Sequence, residues 1–155
     1  MPHHYNGGIM GASIYQGDIS TLEGKPPYRD GECVALVQAV TNVGQTGGWR
    51  PGPRVVDLLY LPQGTVIANF VFDEHGVGRF PNRHGFHAAL FQRFGARNAD
   101  GRAVRIHVID QFKGRKPKNR VASRPIDSYG ERTHAQGNAI SECDNADQFY
   151  VVVRL

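Results

Sequence analysis

A chain of 155 residues is about one domain in length, since domains run roughly 100–150 residues. Its 40% hydrophobic share, with 19 glycines and 9 prolines well short of the ~25–30% that marks low-complexity sequence, excludes a disordered or collagen-like chain, and two cysteines are too few for a disulfide-framed mini-protein. A formal charge of +4 speaks only weakly to partners, and no apolar run approaches the ~18 residues of a membrane span, so membrane insertion is not expected.

Residues 1–25 are glycine-rich and polar without a sustained period, and they read as a loosely docked arm ahead of one domain over 26–155. Their first eight residues have neither the basic nor the apolar region of a secretory signal, so synthesis in the cytoplasm without a signal peptide is expected. Lys25-Pro26-Pro27-Tyr28 halts regular structure. Asp30 is a suitable N-cap, and Cys33, Leu36, Val37 and Val40 fall at i, i+3, i+4 and i+7, which predicts a helix ended by Gly44 and Gly47-Gly48. A short helical turn is expected over 54–60, where Val55, Leu58 and Leu59 share a face. Pro62-Gln63-Gly64 is a turn, and 65–72 reads as a strand by its β-branched and aromatic content. Loop composition marks 73–85. Strands follow over 86–91 and 104–112, joined by a hairpin loop at 95–101. Lys113, Arg115, Lys116, Lys118, Arg120 and Arg124 crowd a basic segment, and 149–153 closes the chain as a buried strand. One early helix followed by an antiparallel run gives the α+β class.

Three residues stand out for chemistry. Cys33 sits in the first turn of the helix, where backbone amides and the macrodipole favour the nucleophilic thiolate, although Asp30 and Glu32 act in the opposite sense. His87 lies in Gly85-Phe86-His87-Ala88-Ala89, where the alanines leave room beside the ring. Asp110 lies on the next strand. A hairpin turning about Asn98-Ala99 puts His87 opposite Asp110, Phe91 opposite Ile106 and His107 opposite Leu90, close enough for a carboxylate to orient an imidazole. Trp49, in a glycine-flanked loop, is a candidate to line a substrate groove, with packing in the core the equal alternative, and Tyr28, just before the helix, is a second candidate for the groove. His84 and His87 point to opposite faces of a strand, so no metal site is expected, and the acidic surroundings of Cys143 mark it as structural.

Gly31-Glu32-Cys33-Val34 resembles the helix-opening Gly-Gln/Glu-Cys of the CHAP and NlpC-type cysteine amidases. His87-Ala88-Ala89-Leu90-Phe91 is similar to their His-(Val/Ala)-Ala-aromatic strand, and Asp110 falls where they carry the polar third member. The 64–70 strand and Asp110-Gln111-Phe112 resemble small bacterial amidase-like proteins, some exported by type VI secretion systems. The likeness spans about 28–153, and Asp110 lies farther past His87 than in the compact hairpin of NlpC-type enzymes. It implies a papain-like core with the Cys33 helix packed on an antiparallel sheet. Cys33 would attack an amide carbonyl, His87 would take and return the proton, Asp110 would hold the ring's tautomer, and the Cys33 amide would serve the oxyanion. It further implies a peptidoglycan stem-peptide substrate, no cofactor, a cognate immunity protein, a secretion-system component, and action in the periplasm of a target bacterium. Two rival readings are a nucleic-acid or anionic-polymer binding module built on 113–124 and a catalytically inert relative. A binding module leaves Cys33 without a role.

Overall fold

The structure, a computed structural model, describes residues 8–115, 119–130 and 140–154. Among these, one helix, α1 (Cys33–Val40), precedes or accompanies eight strands: β1 (Trp49–Arg54), β2 (Val66–Ala68), β3 (Val71–Phe72), β4 (Gly78–Arg79), β5 (Ala88–Phe94), β6 (Arg105–Asp110), β7 (Ala122–Asp127) and β8 (Tyr150–Arg154). Six of them form one antiparallel sheet in the order β1-β8-β2-β5-β6-β7, and β3 and β4 pair separately. None of the described helices is long and apolar enough to cross a membrane.

Both faces of the central strands are covered, which is why their sequences read as near-continuous apolar runs rather than clean alternation. Ala88 and Leu90 of β5 join Leu36 and Val37 of α1 in one cluster, while Ala89 and Phe91 join Val108, Phe149 and Val151 in another. The helix carrying Cys33 therefore lies on the sheet, in the α+β, papain-like arrangement expected.

Local differences have physical causes. The N-cap of α1 is Glu32, not Asp30; Asp30 instead accepts the Glu32 amide at 3.0 Å. Gly31, at φ 86°, turns the chain between them. The helix stops at Thr41 rather than Gly44, because the Thr41 hydroxyl donates to the Val37 carbonyl at 2.7 Å and accepts the Val43 amide at 3.1 Å. The expected 54–60 turn is a single 3₁₀ turn, Val55–Asp57. The 65–72 strand is broken into β2 and β3, and the Asn69 amide just past β2 still donates to the His87 carbonyl opposite it at 3.0 Å.

β1 and β7 were not foreseen. Both are edge strands that carry proline, and an edge tolerates a missing amide donor. β4 likewise lies inside the expected 73–85 loop. The 1–25 segment is not loosely docked from Ala12 onward: Ala12 bridges Val153, Ile14 bridges Thr65, and a turn capped by Asp18 seats Ile19 and Leu22 in the core at 1% exposure each.

The β5–β6 register also differs. Phe91 faces Val108 rather than Ile106, and His107 faces Arg93 rather than Leu90, with an irregularity between Phe91 and Arg93. Ahead of that irregularity the displacement is an even number of residues, so every side chain keeps its face of the sheet. His87 and Asp110 are therefore diagonal rather than directly opposite, a separation that long polar side chains span.

Candidate active site

The ends of three elements meet at one place. Cys33 opens α1 and is half-buried. His87 lies immediately before β5 at 5% exposure, and Asp110 ends β6 at 0%. His87 Nε2 is 2.7 Å from Asp110 Oδ2. The Cys33 thiol neighbours the same ring and acts with Asp110 to favour its protonated form. A thiol, an imidazole and a carboxylate thus gather at one place, residue types that could serve nucleophilic hydrolysis.

Two buried amides hold this geometry, and both sit in motifs whose local roles were not legible. Asn69 is fully buried; its Oδ1 accepts the His87 amide at 2.9 Å, and its Nδ2 donates to the Gln148 and Glu142 carbonyls at 2.9 and 3.2 Å. Gln111 Oε1 accepts the Tyr28 amide at 2.8 Å, and its Nε2 donates to the Tyr28 and Glu32 carbonyls at 3.1 and 2.8 Å. The turn that delivers Cys33 is thereby tied to the residue after Asp110. Phe112 and Phe149 meet the His87 ring edge-on, with centroids 6.0 and 6.5 Å away.

Asp110 is held from two further sides. Arg115 Nη2 donates to Oδ1 and Arg115 Nη1 to the Asp110 carbonyl at 2.8 Å, while Arg124 Nε donates to Oδ2 at 2.7 Å. Arg124 continues to Asp144 Oδ1 at 3.2 Å and to the Cys143 carbonyl at 3.0 Å. These arginines were missed as functional residues, because on the sequence they merge into a basic run. Arg120 is also engaged, donating to the Gly24 carbonyl at 3.1 Å, while Lys116 and Lys118 lie outside the described residues.

Electrostatics follow from this geometry. Burial disfavours a charged His87 ring, but the hydrogen bond to Asp110, the bond to Cys33 and the Asp110 charge outweigh it, and the ring's pKa rises to about 9. Burial likewise opposes ionisation of Asp110, yet the His87 bond and the His87, Arg124 and Arg115 charges hold it well below the usual carboxylate range. Burial raises Cys143, helped by Asp144 and opposed by its Ser141 hydrogen bond, so that thiol stays neutral at ordinary pH. A raised histidine stabilises the fold fully below its unfolded value of 6.5, and that contribution is lost as pH rises through about 9. Thermal melts from pH 6 to 10 are therefore expected to lose several degrees across this window, and a His87→Asn variant to lose the window; an identical profile in that variant would contradict the assignment.

Cys33 and His87 open into a cleft of about 570 Å³. One wall is residues 82–86, another is Phe112 and Lys113, and Arg124, Cys143 and Asp144 complete it. Cys143, read as structural, thus also lines the cleft. Trp49 does not: it is 0% exposed, its indole donates to the Val43 and Gly44 carbonyls at 3.2 and 3.1 Å, and its ring lies 5.0 Å from Phe80. Its expected place in a substrate groove is corrected to the core. Tyr28 is not among the cleft-lining residues either; it packs against the helix-side core and serves the site through its backbone bonds to Gln111. His84 lines the cleft, and among the described residues no three His, Cys, Asp or Glu gather as metal ligands.

A family model described as domesticated amidase effector 2 matches residues 6–152. A type VI secretion amidase effector 2 protein from Salmonella typhi is 34% identical over 123 residues, covering 78% of this chain and 84% of that protein. A solved structure of a type 6 secretion amidase effector 2 aligns with a TM-score of 0.72 at 30% identity, covering 92% of this chain and 94% of the other. The family model spans nearly the whole chain, and the chain belongs to the domesticated amidase effector 2 family.

Proposed function

We propose that this protein is a cysteine amidase that hydrolyses amide bonds of peptidoglycan stem peptides, exported by a type VI secretion system to act in the periplasm of a target bacterium. The observation that carries the reading is the His87–Asp110 hydrogen bond set beside Cys33, with Cys33 and His87 opening into one cleft. Cys33 Sγ gives its proton to His87 and attacks the amide carbonyl, whose oxygen becomes an oxyanion. The Cys33 backbone amide, in a first helical turn with no helical acceptor, is its donor. The His87 imidazolium gives its proton to the leaving amine as the C–N bond breaks, which leaves a thioester on Cys33. His87, now neutral, takes a proton from water as that water attacks the thioester, then passes it to the departing Cys33 sulfur, which releases the carboxylic acid and restores the thiol. Asp110 holds the ring through both transfers and stabilises its charged form.

The binding-module reading loses its main support, because Arg115, Arg120 and Arg124 are engaged within the fold rather than presented to a polyanion. A toxin of this kind calls for a cognate immunity protein in the producing cell and a component of the export machine that recognises it.

Purified peptidoglycan incubated with the protein is expected to yield fragments that mass spectrometry reads as paired new amine and carboxyl ends. Expression in bacterial cytoplasm is expected to be tolerated, while the same chain behind an added secretory signal lyses the host, and Cys33→Ala removes the lysis. Equal toxicity without the added signal would move the target into the cytoplasm and overturn the cell-wall substrate. An intact fold that releases no fragment would identify the inert relative.

A further inference from the structure

The cleft's cations are not equivalent. Arg124 is consumed by Asp110, Asp144 and the Cys143 carbonyl. Arg83 and Lys113 line the same cleft from two walls, are exposed at its mouth, and make no ion pair or side-chain hydrogen bond among the described residues. Each nevertheless has a defined seat. The Arg83 guanidinium lies 5.0 Å over the ring of Phe86, and Phe86 packs against the helix-side core. The turn beneath it is closed by the Phe86 amide donating to the Arg83 carbonyl at 3.2 Å, between Asn82 at φ 48° and Gly85 at φ 95°. A guanidinium held over an aromatic ring can still present its N–H groups to a carboxylate. The Lys113 stem crosses the turn that opens α1, with its Cγ 3.7 Å from where a Gly31 Cβ would lie, beside Glu32 and Cys33. Of the cleft's acids, Asp144 is already paired with Arg124, and Glu32 stands exposed at the helix start.

We propose that Arg83 and Lys113 form a carboxylate-reading pair flanking Cys33, so that the preferred substrate carries a free carboxylate beside the scissile amide. This rests on the amidase reading and deepens it. A peptidoglycan stem differs from an ordinary peptide in that its γ-linked glutamate and a dicarboxylic diamino acid each leave a carboxylate free within one residue of a neighbouring amide. Either would place an anion between the two cations, and the shared chemistry is the carboxylate.

The test uses purified muropeptides in three forms: both carboxylates free, the glutamate carboxylate amidated, and the diamino-acid carboxylate amidated. Wild-type kcat/KM is expected to fall about tenfold on one amidated form, and that form names the source. Arg83→Ala and Lys113→Ala should each lose about tenfold on the free form, mainly through KM, and lose little more on the sensitive amidated form. Equal wild-type rates on all three forms overturn the proposal while leaving the amidase intact. Equal losses by the variants on all three forms overturn it as well. Should wild type cleave none of them, the amidase reading fails, and calorimetric binding of the same three peptides decides the pair: about tenfold weaker binding of an amidated form supports it, and equal binding overturns it.

Discussion

Cys33→Ala is expected to lower hydrolysis by about 10⁴-fold or more while the protein melts within a few degrees of wild type. The substitution removes one sulfur from a half-buried first-turn position and replaces it with the best helix former, so α1 and its buried Val34–Val37 face are retained. No other group in the series can form the thioester, and orientation of the remaining residues leaves only weak residual catalysis. Cys143→Ala is the informative control, because Cys143 lines the same cleft. Its thiol faces the Ser141 hydroxyl at 3.3 Å and is held neutral by burial, and alanine keeps the backbone carbonyl that receives Arg124. Activity within severalfold of wild type is expected. Fragment release measured by chromatography, with far-ultraviolet circular dichroism for the fold, reads both variants. Full activity in Cys33→Ala, or a loss confined to Cys143→Ala, would transfer the nucleophile to the other thiol.

How much of this site could be read from the sequence depended on whether a residue's role is local. The helix and its cysteine were legible because Cys33, Leu36, Val37 and Val40 repeat with the helical period. The partnership of His87 and Asp110 was legible because a hairpin constrains which strand residues share a face. The assumed pairing was displaced, yet by an even step, so the face assignment survived. Trp49 shows the opposite case. Glycine and proline around it suggest a surface loop, whereas the segment is an edge strand whose large ring fills the core against Phe80. Ile19 and Leu22 were hidden in the same way by their glycine-rich surroundings. Arg115 and Arg124 were the costliest miss. A charge run reads as a solvated face, and only the fold shows that β7 lies beside β6 and turns Arg124 onto the Asp110 carboxylate. No periodicity or motif carries that signal.

Asp110 therefore has two tasks that substitution can separate. His87→Ala is expected to abolish hydrolysis, since it removes the imidazole proposed to move the proton, while His107→Ala, on the same sheet but facing Arg93, should leave activity near wild type. Asp110→Asn keeps the shape and removes the charge, so it touches both tasks. Arg115, with a side chain 10% exposed, loses its carboxylate partner, and Arg124, 21% exposed, keeps Asp144 and the Cys143 carbonyl. Leaving such cations uncompensated is expected to cost about 3 kcal/mol of stability. Adding Arg115→Met should recover part of that loss, because the unpaired charge goes with it. Activity responds differently. With the carboxylate gone, burial acts on His87 with less opposition, and the ring loses its proton at a lower pH than about 9. The leaving amine needs that proton. The alkaline limb of kcat/KM should therefore move down from near 9 in Asp110→Asn, and adding Arg115→Met should not move it back. A variant that melts and titrates as wild type does would remove Asp110 from the series and leave Cys33 and His87 to act as a dyad.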